Sequence, residues 1–141
     1  MSREILFKAK RKNWRELPKE EWWVEGYPVK YQPCASKEEW IYGIVPTYAS
    51  ALYIIEIDPE TLCQYIYMND KKGKRIWEND IVKHEVSYTI GTVKWYQEDY
   101  VGWCVDDIVI DEQQFTDEMW NECEVIGNIF DNPELLKGDA E

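Results

Sequence analysis

The chain has 141 residues, of which 45% are hydrophobic and 31% charged, enough for one compact domain or two small lobes and unlike a disordered polymer. No stretch approaches the roughly 18 apolar residues that span a bilayer. Charges interrupt the start, Met1 to Lys8, before a signal-peptide core could form, which predicts a cytoplasmic protein.

The formal charge is −12, and it is unevenly placed. Residues 1–94 hold 15 Lys/Arg against 14 Asp/Glu, a net of +1, whereas residues 95–141 hold Lys137 alone against 14 Asp/Glu, a net of −13. A field of that sign repels nucleic acid and attracts basic partners; as a plain solvated surface it only keeps the protein soluble. The 8 Trp and 10 Tyr outnumber 3 Phe, a balance that suits half-buried sheet faces and interfaces because both rings carry a polar handle.

In chain order, Glu4 to Lys10 alternates Ile5, Phe7 and Ala9 with Leu6, Lys8 and Lys10, which predicts a strand with one wet face. Lys8, Lys10, Arg11, Lys12 and Arg15 then form a basic cluster around Trp14. Pro18, Gly26, Pro28 and Pro33 exclude a long helix over 17–33, leaving short strand pieces at Trp22–Val24 and Tyr27–Tyr31. Ser36 to Glu39 has capping-box spacing for at most one helical turn before the β-rich Trp40–Pro46. Ala51–Ile57 reads as a buried strand ending in a type I turn at Asp58-Pro59-Glu60-Thr61.

Leu62–Met68 is a further strand, closed by a turn at Asn69–Gly73. Ile76–Val82 is punctuated at Asn79-Asp80. The alternation from Val86 changes phase near Gly91, which predicts a tight turn or bulge there. Val101, Trp103 and Val105 alternate again. Thr116 with Asp117 and Glu118 marks the start of a short helix to about Cys123, and Val125–Phe130 is the last strand. Many short strands with few helices indicate a mainly β fold of small barrels or sandwiches.

Two stretches carry a resemblance. Asp70-Lys71-Lys72-Gly73-Lys74-Arg75-Ile76-Trp77-Glu78-Asn79-Asp80-Ile81-Val82 resembles the D-x-x-G-K-x-I-[YF]-E-G-D-I-V pattern of the YopX family of phage and prophage proteins. Glu124-Val125-Ile126-Gly127-Asn128-Ile129-Phe130-Asp131-Asn132-Pro133-Glu134-Leu135-Leu136 resembles its C-terminal E-V-I-G-N-I-[YF]-x-N-P-E-L-L. The opening Arg3–Ala9 and the stretch Asp58–Tyr65 also fit, while residues 15–50 match loosely. Family members carry Gly where this chain has Asn79, a residue that tolerates positive φ, and often Thr-Gly where it has Ile66-Tyr67. The resemblance implies an N-terminal β-rich region over 1–68, a small barrel of the Src-homology-3 (SH3-like) type over 69–130 with short helices only, and a tail from 131. It implies a location in a bacterial host's cytoplasm and supplies no activity.

No nucleophile-elbow, Walker or dinucleotide motif occurs. His84 stands between Lys83 and Glu85, where an ordinary exposed side chain is expected. Cys34, Cys63, Cys104 and Cys123 lack metal-ligand spacing and read as free, partly buried thiols; Cys104 and Cys123 have no histidine nearby in sequence. Asp106, Asp107, Asp111 and Glu112 could ligate a divalent cation, but they fit no known loop pattern and read better as a charged strand edge. No enzyme, metal or cofactor is therefore expected.

The favoured reading is a protein-binding or self-assembling module, the latter as a homo-oligomer, with Lys10, Arg11, Lys12, Trp14 and Arg15 and the acidic residues Asp106, Asp107, Asp111 and Glu112 as contact candidates. The alternatives are single-stranded nucleic-acid binding through the basic and aromatic cluster, and an acidic lobe that mimics DNA to occupy a host protein.

Overall fold

The computed structural model describes residues 5–32, 39–48, 53–86, 88–97, 101–105 and 120–136. It is mostly antiparallel β structure with short 3-10 turns, divided into two compact units, Met1–Gln64 and Tyr65–Glu141. No helix among the described residues is long and apolar enough to cross a membrane.

In the first unit β1 (Phe7–Lys10), β2 (Trp23–Tyr31), β3 (Ile41–Pro46) and β4 (Ile55–Glu56) are hydrogen-bonded in chain order. The start of β5 (Cys63–Asn69) lies on the other side of β1, pairing Lys8↔Cys63 and Phe7↔Gln64. A single bridge, Arg11↔Ile57, ties the end of the sheet to the residues just past β1. It is flanked by Lys12 N–H donating to Glu56 O (3.0 Å) and Asp58 N–H to Lys10 O (2.9 Å). The sheet thus curls over its own start. Side-chain alternation places Ala9, Val24, Ile44, Ile55 and Ile57 inside the curl, with Leu62 packed against them.

Several local expectations change here. The two strand pieces at Trp22–Val24 and Tyr27–Tyr31 are one nine-residue strand, β2. Pro28 is accommodated because the β1 ladder has already ended at Phe7↔Gly26. The expected buried strand at 51–57 shrinks to the two residues of β4, with residues 51 and 52 outside the described ones. The predicted wet and dry faces of the first strand also exchange at its ends: Ile5 is 61% exposed, whereas Leu6 and Lys10 are buried. Lys10 faces away from the apolar interior but is covered by tryptophans from the following turns.

In the second unit the remainder of β5 meets β6 (Arg75–Trp77). A four-stranded sheet runs β10 (Cys123–Asn128), β7 (Asp80–His84), β8 (Thr89–Gln97), β9 (Val101–Val105) in spatial order. Ile66, Ile76, Val82, Val93, Val105, Trp120, Cys123 and Val125 form its core. The described strands do not close into the SH3-like barrel that the resemblance implies. No ladder joins β9 to β10 among the described residues, and a barrel requires that its two edge strands pair.

Gly91 makes no turn; it pairs with Val82 inside an uninterrupted ladder. The phase change arises earlier, because Val86 belongs to the turn that precedes β8 and not to the strand itself. The helix expected from Thr116 lies almost entirely outside the described residues, and Cys123 already begins β10. Order continues past Asn132 as a 3-10 turn over Pro133–Leu136.

Among the described residues, three other than glycine have left-handed backbones: Tyr67 (φ 73°), Asn79 (φ 72°) and Tyr88 (φ 59°). Asn tolerates this region, whereas a bulky L residue there is strained by about 1–2 kcal/mol. Asn79 also closes its turn, donating its N–H to Val93 O (2.9 Å) and accepting from Ile129 N–H (3.1 Å).

Gly26 marks the tightest strand contact. A Cβ at that position would lie 2.0 Å from Val45 O and 2.7 Å from Ile44 Cγ2, so backbone as well as side chain would have to move. Gly26→Ala is expected to destabilise the protein by roughly 2–3 kcal/mol, seen as a lower urea midpoint with an unchanged slope.

Candidate functional site

The basic cluster is drawn together by the chain reversal after β1. Arg11 N–H donates to Trp22 O (2.9 Å), and two 3-10 turns, Trp14–Glu16 and Lys19–Glu21, fill the loop between them. This brings Trp14 and Trp22 edge to face at 4.8 Å over the outer side of β1, with Trp22 Nε1–H anchored on Leu17 O (2.9 Å). Lys10 enters this box. Its Nζ lies 3.7 Å from the Trp14 ring centroid, 4.4 Å from Trp22 and 5.7 Å from Trp23.

Burying an ammonium is costly unless its charge is met. Here the negative faces of indole rings meet it, an interaction worth about 2 kcal/mol when desolvated. Lys10 is accordingly only 1% exposed, and its own N–H donates to Thr61 Oγ1 at 2.8 Å. The indole Nε1 of Trp14 is buried without a hydrogen-bond partner among the described residues. Lys8 lies over Trp23 (4.7 Å), Arg15 over Trp14 (4.4 Å) and Lys19 over Trp22 (5.8 Å).

The five basic and aromatic contact candidates therefore separate into different roles. Lys10 and Trp14 are structural partners. Arg11 Nε–H donates to Glu21 O (2.9 Å), and Lys12 Nζ pairs with Glu56 Oε2 (3.0 Å). Arg15 is exposed, as Lys12 is, and lies over the Trp14 ring. Arg11 and Lys12 also border an open groove of about 570 Å³, where Glu16 and Glu56 balance their charge. Asp106, Asp107, Asp111 and Glu112 lie outside the described residues.

The second basic turn, Lys71 to Arg75, is organised by one carboxylate. Asp70 Oδ1 accepts from Lys72 N–H (2.9 Å) and Lys74 N–H (2.8 Å), while Oδ2 accepts from Val125 N–H of β10 (2.9 Å). Burial alone would raise the Asp70 pKa, but the three backbone donors, joined by the Lys74 charge, hold it below its ordinary value. The lysines are committed too: Lys71 pairs with Glu85 and, at 4.0 Å, with Glu124, and Lys72 pairs with Glu124 at 2.9 Å. The Lys72 hydrogen bond and charge pull the Glu124 carboxyl down and are matched by a raised Lys72.

His84 is not the exposed side chain expected. It is 3% exposed and its Nε2 sits 2.8 Å from Glu122 Oε1. The cause is pairing with β10, which sets Cys123 directly opposite His84. Burial, then the charges of Glu122 and Asp70, push the Cys123 thiol up to about 12, far from a thiolate at neutral pH. Cys63, Cys104 and Cys123 are buried thiols outside any disulfide, and Cys34 lies outside the described residues. Among the described residues no three His, Cys, Asp or Glu side chains converge as a metal site would require.

A feature not singled out by sequence is the outer face of β2 and β3. Odd-numbered residues of β2 point away from the interior that holds Val24. Tyr27 (49% exposed), Val29 and Tyr31 (37%) therefore share this face with Ile41 and Val45. Ile54, 37% exposed, lies against it over Gly43, where an added Cβ would meet Ile54 Cγ2 at 2.4 Å. None of these six side chains is charged; Glu25 of β2 and Glu56, opposite Gly43, stand on the same side of the sheet at the border of the patch. The alternation that marks this face runs from Trp23 to Tyr31, a signal hidden by reading Pro28 as a break.

Antiparallel sheets with a covered cation, a braced basic turn and a tyrosine-bearing outer face define the chain as a small, mostly β scaffold. It belongs to the YopX family: the family's model, described as YopX protein, matches residues 18–137. The crystal structure of protein EF1440 from Enterococcus faecalis is similar, at 18% identity over 96% of this chain and 99% of that one, with a TM-score of 0.49. The comparison with curated proteins returns no match.

Two outcomes follow from the braced charges. Lys10→Ala should cost about 2–3 kcal/mol and shift tryptophan emission to the red as water enters the box, whereas Lys10→Met, which keeps the stem, should cost about half as much. Asp70 is depressed in the folded state, so its stabilisation is complete above the unfolded value near 3.8 and is lost as pH falls through the lower folded value. Asp70→Asn should therefore lower stability by about 1–3 kcal/mol at pH 7, with a smaller deficit below pH ~4, read from urea melts across pH.

Proposed function

We propose that the chain is a phage-type accessory protein whose N-terminal unit is a contact module that self-associates through the outer face of β2 and β3. The observation that carries this reading is the uncharged patch of Tyr27, Val29, Tyr31, Ile41, Val45 and Ile54. The formal charge of −12 is concentrated in residues 95–141, so two copies repel one another most through that third of the chain. The six uncharged side chains add nothing to that repulsion, and burying their tyrosines gains most. A two-fold contact brings the same patch to itself, which suits a run of uncharged side chains, with Glu25 and Glu56 left at its border.

The single-stranded nucleic-acid reading has less support. It relied on free cations beside Trp14, but Lys10 is buried against indoles and Lys12 is paired with Glu56. A non-enzymatic role is likewise part of the proposal; the raised Cys123 thiol and the engagement of His84 with Glu122 argue for it.

Light scattering coupled to gel filtration tests the reading. The expected result is a dimer that survives high salt, because an apolar contact is not screened, and that becomes monomeric in Tyr27→Ser/Tyr31→Ser. A mass that falls with salt would instead indicate assembly through charge. A monomer at every concentration and ionic strength would defeat self-association.

A further inference from the structure

The antiparallel pair β8–β9 runs on past the core that it helps to build. Its register sets Val93 opposite Val105 and, two residues on, Trp95 opposite Trp103. Alternation puts all four on one side of the pair. Val93 and Val105 belong to the core, at 0% and 4% exposure, and Trp103 packs against it. Trp95 lies farther out and is 47% exposed. Its orientation is nevertheless fixed. Its Nε1–H donates to Gln97 Oε1 at 2.8 Å, and its ring meets Trp103 at 5.1 Å with the planes 75° apart.

In the first unit the chain repeatedly covers a tryptophan with a cation of its own. Lys8 lies over Trp23 at 4.7 Å, Lys10 over Trp14 at 3.7 Å and Lys30 over Trp40 at 4.7 Å. Among the described residues the ring and hydrogen-bond partners of Trp95 are Trp103 and Gln97, neither of them a cation. Supply is the reason. Lys94 is adjacent in sequence, but alternation sends it to the other side of β8, where its Nζ donates to Asn79 Oδ1 at 3.3 Å. Beyond it, residues 95–141 hold Lys137 alone against 14 Asp/Glu. Indole is the side chain that attracts a cation best, and here it stands in the stretch of chain that has almost none.

We propose that the Trp95 ring is a docking point for a Lys- or Arg-bearing segment of another protein. The ammonium or guanidinium packs on the exposed indole, while the net −13 of residues 95–141 draws basic segments toward this part of the chain. The same charge disfavours a nucleic acid, whose phosphates would enter a field of like sign, and an acidic peptide for the same reason. A second copy of this chain is a poorer source of the cation, because Lys10 is buried among indoles and Lys12 is paired with Glu56. A ring already held by Gln97 and Trp103 loses little freedom when a partner docks, which favours binding. The site rests on the reading of the chain as a protein-contact module, but it lies in the other unit from the self-association face.

The test is selection of a random heptapeptide display library on the full chain, followed by affinity measurement of the selected peptides on variants. Enriched peptides are expected to carry Lys or Arg. Trp95→Leu leaves the charge of the protein unchanged, so it separates the ring from the field, and it should weaken these peptides about fivefold or more. Trp95→Phe, which keeps an aromatic face, should weaken them less. In the unaltered chain, titration with a selected peptide should move the Trp95 indole N–H signal in NMR spectra, a readout that does not depend on how a variant folds. Recovery of no binders, binders without Lys or Arg, an affinity unchanged in Trp95→Leu, or an indole signal that stays in place would each overturn the proposal. So would a fluorescent oligothymidylate that binds the native chain and is released by Trp95→Leu. Basic peptides that still bind Tyr27→Ser/Tyr31→Ser support the site whether or not the chain self-associates, whereas binding lost in that variant would move the contact to the first unit and overturn the proposal.

Discussion

The first unit depends on the burial of one positive charge. A lysine at the end of β1 can lie beneath a surface only if something compensates its ammonium, and here three tryptophans do so. The chain reversal between Arg11 and Trp22 is what delivers two of those rings, so the loop and the charge require each other. The same reversal sets Arg11 beside Ile57 and lets the sheet curl around Ala9, Val24 and Ile44. Residues that look like an exposed basic arm in the sequence are thereby turned into a lid over the strand.

The second unit solves the opposite problem with a negative charge. Asp70 replaces the solvent it loses with three backbone donors, two from its own turn and one from β10. A turn in mid-sequence is thus fastened to a strand more than fifty residues later, the Asp70–Val125 bond having a separation of 55. That fastening also consumes cations, since Lys71 and Lys72 lie within reach of Glu85 and Glu124. In both units, local charge is engaged in the architecture.

Exposed aromatic rings arise in two ways. On the outer face of β2 and β3 they are exposed because alternation sends every second residue outward and no element described covers them. At Trp95 exposure comes instead from a strand pair that runs on past its core. A cation of the chain's own could cover such a ring only if one were at hand, and residues 95–141 hold Lys137 alone.

The amino-acid order by itself determined the β character, most strand positions, the family, and the special backbone at Asn79, because period-two alternation and turn residues are local properties. It also marked Trp14 and its basic neighbours as a cluster. Only the tertiary structure decided that Lys10 points into indoles, that His84 is covered by β10, that Pro28 interrupts nothing, and that the described sheet of the second unit stays open. Each of those outcomes hangs on a partner distant in sequence, and neither alternation nor spacing encodes which strand will lie alongside.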